Sequence, residues 1–181
     1  MQIDMLDAAG VKELAPQLRA LLVDAVVHGA SVGFVMPLPA EQADAYWRGV
    51  IDAVTDGSRI LLVGWREQDL VGTVQLDLCM KPNGLNRAEV QKLLVHSGAR
   101  RLGVAKELMQ AAEQQALALR RGLLYLDTEA GSDAESLYAN MGYTRVGELP
   151  EYCATPDGAW RATAIWYKTL FLREPEASAP D

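Results

Sequence analysis

The chain has 181 residues, enough for one full domain with a sizeable core, and half of them are hydrophobic. Its 24 acidic and 17 basic residues leave a formal charge of -7, which argues against nucleic acid as a partner, because phosphate backbones need a basic surface, and suits a cationic small molecule. No run of about 18 apolar residues exists to cross a membrane, "MQIDMLDAAG" lacks the basic-then-apolar order of a signal peptide, and Cys79 and Cys153 share no spacing motif, so a cytoplasmic location with reduced thiols is expected.

Gln2 to Met5 reads as a short first strand. Pro16 suits the first turn of a helix, where its missing N–H is not needed. Leu18, Leu21, Leu22, Ala25 and Val26 then recur at three and four, one helical face, and Gly29 stops it. "HGASVGFVMPLP" is a loop by its Gly and Pro content. A second helix after Pro39 buries Tyr46, Trp47, Val50, Ile51 and Val54 and ends at Gly57. Strands are predicted over 59–65, 70–78 and 88–95, with "REQD" and "KPNGLN" between them. Val104, Leu108, Ala111, Ala112 and Leu119 mark a third helix, 122–128 a strand, and 133–141 a helix stopped by Gly142. "TRVGEL" and "WRATAIWYKTL" close the chain as an antiparallel pair. All four tryptophans are expected in the core. Residues 1–172 form a single layered α/β domain, and 173–181, "REPEASAPD", are expected to be disordered.

The informative stretch is "VQKLLVHSGARRLGVAKELMQ", Val90 to Gln110. A strand-like run is followed by two arginines, a glycine and a helix. The first N–H groups of a helix have no intrahelical partner, and the macrodipole adds about half a positive charge there. Gly103 and Ala105 lack bulk, and Arg100 and Arg101 add cationic donors, so a pyrophosphate is the natural guest. The Gly-Lys-Ser/Thr ending of a Walker loop and the three-glycine dinucleotide fingerprint are absent.

A strand followed by Arg-x-x-Gly-x-Ala at a helix start resembles the acetyl-CoA motif of the GNAT superfamily of N-acetyltransferases, with Arg100, Gly103 and Ala105 in the motif positions. "AESLYANMGYTRVG" resembles that family's C-terminal helix, with Tyr138, Gly142 and Tyr143, and the element order agrees over about residues 2 to 170. "AEVQKLLV", "RGLLYLDTEAGS" and "YTRVGELPEYCATPDG" are similar to a toxin-resistance branch of the superfamily, whose members acetylate the amine of a small β-lactam toxin.

The resemblance implies a central mixed, mostly antiparallel sheet of about seven strands flanked by about four helices. It implies acetyl-CoA as cofactor, while two widely spaced histidines and two unrelated cysteines suggest no metal site. Backbone groups of Leu93, Leu94 and Val95, then Arg100, Arg101, Leu102, Gly103, Val104, Ala105 and Lys106, would hold it. Ser132 or Gly131 stands where the family often has an Asn. The loop Ser31, Val32, Gly33 and Phe34, together with Glu129, would meet the acceptor. The family often dimerises, so a monomer or homodimer is expected.

The chemistry makes two further demands. Freeing an alkyl ammonium of pKa about 10.4 at pH 7 costs on the order of 4.6 kcal/mol, an α-amine near 7.8 only about 1 kcal/mol. Glu89, six residues before Val95 on the strand, and Asp127, at the end of the next, are the candidate bases. Tyr138, with a reference pKa of about 10 against about 8.5 for a thiol, suits hydrogen-bond donation to the leaving sulfur. The expected function is acetyl transfer to the amine of a small molecule by direct attack. The alternatives are a protein N-terminal or lysine acetyltransferase and a non-catalytic acyl-CoA sensor.

Overall fold

Apolar alternation along the strands sets the sheet, and one break in it makes the site. The computed structural model describes residues 1–173, so the tail from 174 onward lies outside the described residues. The order is β1 (Gln2–Leu6), α1 (Ala8–Glu13), α2 (Ala15–Val27), α3 (Ala40–Thr55), β2 (Arg59–Arg66), β3 (Asp69–Leu78), β4 (Arg87–Val95), α4 (Val104–Ala118), β5 (Leu123–Glu129), α5 (Asp133–Asn140), β6 (Thr144–Ala154) and β7 (Trp160–Thr169). The seven strands lie in the order β1-β2-β3-β4-β5-β7-β6. Every neighbouring pair is antiparallel except β4 and β5, which run parallel.

Two cores flank this mixed sheet. Leu62, Val74, Leu76, Ala88, Val90, Leu124 and Leu126 pack beneath Val104, Leu108, Met109 and Ala112 of α4. On the other face Leu61, Val63 and Leu94 pack against Leu18, Leu22, Trp47 and Val50 of α2 and α3. The alternation within β4 reverses between Val90 and Leu94. The cause is a bulge: Gln91 stands opposite Gln75 and Leu94 opposite Thr73, so β4 carries one extra residue. Lys92 absorbs it with a left-handed φ of 47°.

Five α-helices lie among the described residues, where about four were expected. The additional one, α1, is capped by Asp7, whose side chain accepts from the Gly10 N–H at 2.8 Å. Trp160 is 64% exposed rather than core. It begins β7 opposite Ala154, whereas β5 covers β7 only from Thr163 onward.

Gly72 on β3 locks α4 to the sheet. A Cβ there would lie 2.8 Å from both the Leu108 Cδ1 and the backbone oxygen of Leu94, and 3.0 Å from the Val104 Cγ1. The carbonyl belongs to the paired strand and has little room to yield. Gly72→Ala is expected to lower stability by about 1–3 kcal/mol. A fall in the urea midpoint at unchanged m-value checks this.

Candidate active site

Strands β4 and β5 pair only where Arg87, Ala88 and Glu89 face Leu123, Leu124 and Tyr125. Beyond Glu89 they part, and the bulge at Lys92 follows at once. A cavity of about 790 Å³ opens along the parting, walled by the end of α2 and its following loop, the start of α4, the first turns of α5 and the end of β6. Backbone groups of β4 from Gln91 to Val95 therefore look onto the cavity without a β5 partner.

The head of the cavity is the turn before α4. The helix begins at Val104, not at Arg100. Arg100 is extended, Arg101 is left-handed at φ 63°, and Gly103 is left-handed at φ 84° as the N-cap. No side chain caps α4, and its first backbone bond from the cap runs from the Glu107 N–H to the Gly103 carbonyl at 3.1 Å. The N–H groups of Val104, Ala105 and Lys106 therefore have no intrahelical acceptor.

The C-terminal turn of α2 props this loop. The Asp24 carboxylate accepts from the Ser97 N–H at 2.7 Å and the Ser97 hydroxyl at 2.8 Å, and Arg100 donates to the His28 carbonyl at 3.2 Å. Burial pushes the Asp24 acid up, but the Ser97 bonds and the charges of His96 and His28 outweigh it and hold the acid below its ordinary value. Arg101 pairs with Asp133 in open solvent, a contact worth little by itself. An uncapped helix start beside Arg100, Arg101 and Lys106 fits a phosphate-bearing group.

Leu93, Leu94, Val95, Arg100, Arg101, Gly103, Val104, Ala105, Lys106 and Ser132 all line the cavity. Leu102 does not; its side chain turns outward and is 50% exposed. The Ser132 hydroxyl meets that of Thr128 at 3.4 Å.

At the other end the sheet gathers titratable groups. Glu89 is register partner to Tyr125, and Asp127 lies two residues beyond Tyr125, so all three share one face. The Tyr125 hydroxyl donates to Glu89 at 3.3 Å, and the Thr163 hydroxyl donates to Asp127 at 3.0 Å. Tyr138 of α5 lines the cavity from the opposite side and is 6% exposed. Burial pushes its phenol above the ordinary range, and the Asp127 carboxylate pushes it further.

Ser31, Val32, Gly33 and Glu129 also line the cavity. Phe34 does not: it packs edge-on to Tyr46 in the core under α2 and α3, with ring centroids 5.6 Å apart. Sequence reasoning missed Lys92, Tyr152, Cys153 and Asn140 as lining residues. Lys92 had a signal, a charged residue inside an apolar strand. Among the described residues no three His, Cys, Asp or Glu side chains are grouped to hold an ion.

The domain is thus a split mixed sheet with an uncapped helix start at the head of the split and titratable groups at its foot. Residues 20–143, more than half of the chain, match the model of the acetyltransferase (GNAT) family, and the chain belongs to that family. It is 33% identical over 109 residues to an uncharacterised N-acetyltransferase of the hisH–hisA intergenic region of Azospirillum brasilense, a match covering 58% of this chain and 61% of that one. The fold is shared with the ribosomal-protein-alanine N-acetyltransferase of Brucella melitensis, at a TM-score of 0.78, 22% identity and coverage of 94% and 100% of the two chains. It is shared as well with an acetyltransferase of Salmonella typhimurium solved with its cofactor acetyl-CoA, at a TM-score of 0.75, 15% identity and 99% coverage of both.

Proposed function

We propose that the chain is a cytoplasmic, acetyl-CoA-dependent N-acetyltransferase acting on the amine of a small molecule by direct attack. The observation that carries this reading is the joining, in one cavity, of the uncapped α4 start with Tyr138, Glu89 and Asp127. Acetyl-CoA, when bound, supplies an acyl group on a thioester. The N–H groups of Val104 to Lys106 bind phosphate oxygens, and β4 beyond Glu89 offers backbone partners to an extended arm. Glu89 and Asp127 take up the proton that the acceptor ammonium must lose before its lone pair can attack. Tyr138 keeps its proton and offers it to charge developing on the departing sulfur. Cys153 has the Ser31 hydroxyl at 3.6 Å as its polar neighbour, not a base, which favours direct attack over an acyl-enzyme.

A small acceptor is favoured over a protein because the loop that lines the acceptor end is fastened in place. The Met36 N–H bonds the Pro156 carbonyl at 2.8 Å, and Ser31 meets Cys153, so the loop after α2 is tied to the β6–β7 hairpin. The test is release of CoA thiol on adding small amines, amino-acid-like β-lactams and, separately, peptides with free N-termini. Stimulation by small amines alone is expected. Stimulation by peptides alone would transfer the activity to a protein acceptor.

A further inference from the structure

Lys92 is a cation that the reaction above does not use. It sits at the bulge of β4, half-buried, with its own carbonyl accepting from the Thr73 hydroxyl at 3.1 Å. Its ammonium stands 5.5 Å from the centroid of the Tyr46 ring. That ring is fixed in turn by the Gln75 amide, which donates to the Tyr46 hydroxyl at 2.8 Å. The neighbouring cation, Arg59, is already engaged by Gln75 and Asp77. Lys92, by contrast, forms no ion pair among the described residues. A cation withdrawn from water without a counter-ion is costly and calls for an explanation.

Its surroundings leave room for a ligand. Gly33 faces it at φ 87°, close enough that a Cβ there would touch the Lys92 Nζ at 3.6 Å, so the open side is the cavity itself. Both residues line the cavity, at the end that holds Glu89 and Asp127. Burial draws the ammonium below its ordinary pKa and Arg59 adds to this, while Asp127 and Glu89 sustain the charge. One wall of the acceptor end is thus anionic and another cationic. An ammonium suits the first, and the second is unmatched by any neutral amine.

We propose that Lys92 is an anion subsite of the acceptor pocket, and that the acceptor carries a carboxylate close to its reacting amine. This rests on the acetyltransferase reading given above. The carboxylate supplies the direct ion-pair partner that no side chain among the described residues gives Lys92, and it orients the amine toward Glu89 and Asp127.

Two measurements test it. The first needs no turnover. Protein labelled with carbon-13 lysine is titrated with propionate and with propionamide, and the Lys92 resonance is identified by its absence in Lys92→Arg. Propionate is expected to move that resonance and raise its titration midpoint, and propionamide to do neither. A Lys92 resonance indifferent to propionate overturns the proposal whether or not an acceptor has been found. The second follows thiol release with L-amino acids paired against their carboxamides. The wild type should favour the carboxylate of each pair by roughly 10- to 100-fold in kcat/KM, the worth of one charge-assisted hydrogen bond, carried mainly in KM. Lys92→Met should close that gap, and Lys92→Arg should restore part of it. A gap that survives Lys92→Met, or an equal loss of kcat on both members of a pair, overturns the proposal. A propionate shift with no amine able to release thiol would overturn the enzymatic reading and leave the anion subsite standing.

Discussion

Tyr138→Phe is expected to lower kcat for acetyl transfer by roughly 100- to 1,000-fold, the usual cost of removing one donor from charge that develops in a transition state. The substitution removes only a hydroxyl. The ring still fills its place against Tyr143 and Trp166, at centroid separations of 5.8 and 6.4 Å, so folding and acetyl-CoA affinity change far less. The sign of the pH dependence follows from burial. The phenol donates only while protonated, and its pKa is raised, so donation persists through neutral pH and fails only above the ordinary phenol value of about 10. The phenol therefore contributes no acid limb to kcat, and Tyr138→Phe should lower the plateau without moving one. The check is a pH profile of thiol release for both proteins beside calorimetric titration with CoA. A variant with wild-type kcat would remove Tyr138 from the reaction and return it to the core.

What was legible in the sequence depended on how local its cause was. The strand, turn and helix around Val90 to Gln110 could be read because periodicity, glycine and paired arginines are neighbours in the chain. The extra residue in β4 could not. "VQKLLV" reads as one continuous strand, and only pairing with β3 shows that Lys92 is the residue squeezed out of register. The reversal of faces that follows moves Leu94 to the core of α2 and α3 and leaves Leu93 and Val95 on the α4 side. Phe34 was misjudged for a similar reason. Its loop does line the cavity, but each residue's direction is set by tertiary packing, and the Tyr46 edge captures the one aromatic of the four. Trp160 shows the converse. Hydrophobicity alone argues for burial, yet the neighbouring strand ends before reaching it. Glu89 and Asp127 share a face because Glu89 pairs with Tyr125 and Asp127 lies two residues further along β5, a relation that rests on the strand register and not on either stretch of sequence alone.

Gly103→Val is expected to weaken acetyl-CoA binding by roughly 30- to 100-fold, corresponding to about 2–3 kcal/mol. No clash causes this, since a Cβ at Gly103 meets no atom within 4 Å. The cause is the backbone. A φ of 84° costs an ordinary residue about 1–2 kcal/mol, and a β-branched one more. Val relieves that strain by rotating toward negative φ, which swings the N–H groups of Val104, Ala105 and Lys106 off their common target. The loop is also held from the other side, through Asp24 to Ser97 and His28 to Arg100, so the turn cannot shift as one body to compensate. The residue series separates backbone from bulk. Asn tolerates the left-handed region and should retain more affinity than Ala, although it is larger, and Val should retain least. Calorimetric titration with CoA, beside thermal melts of each variant, gives the order. If affinity instead tracked side-chain volume, steric exclusion of the phosphates would be the cause, and if Val bound as tightly as Gly, this helix start would not hold the cofactor.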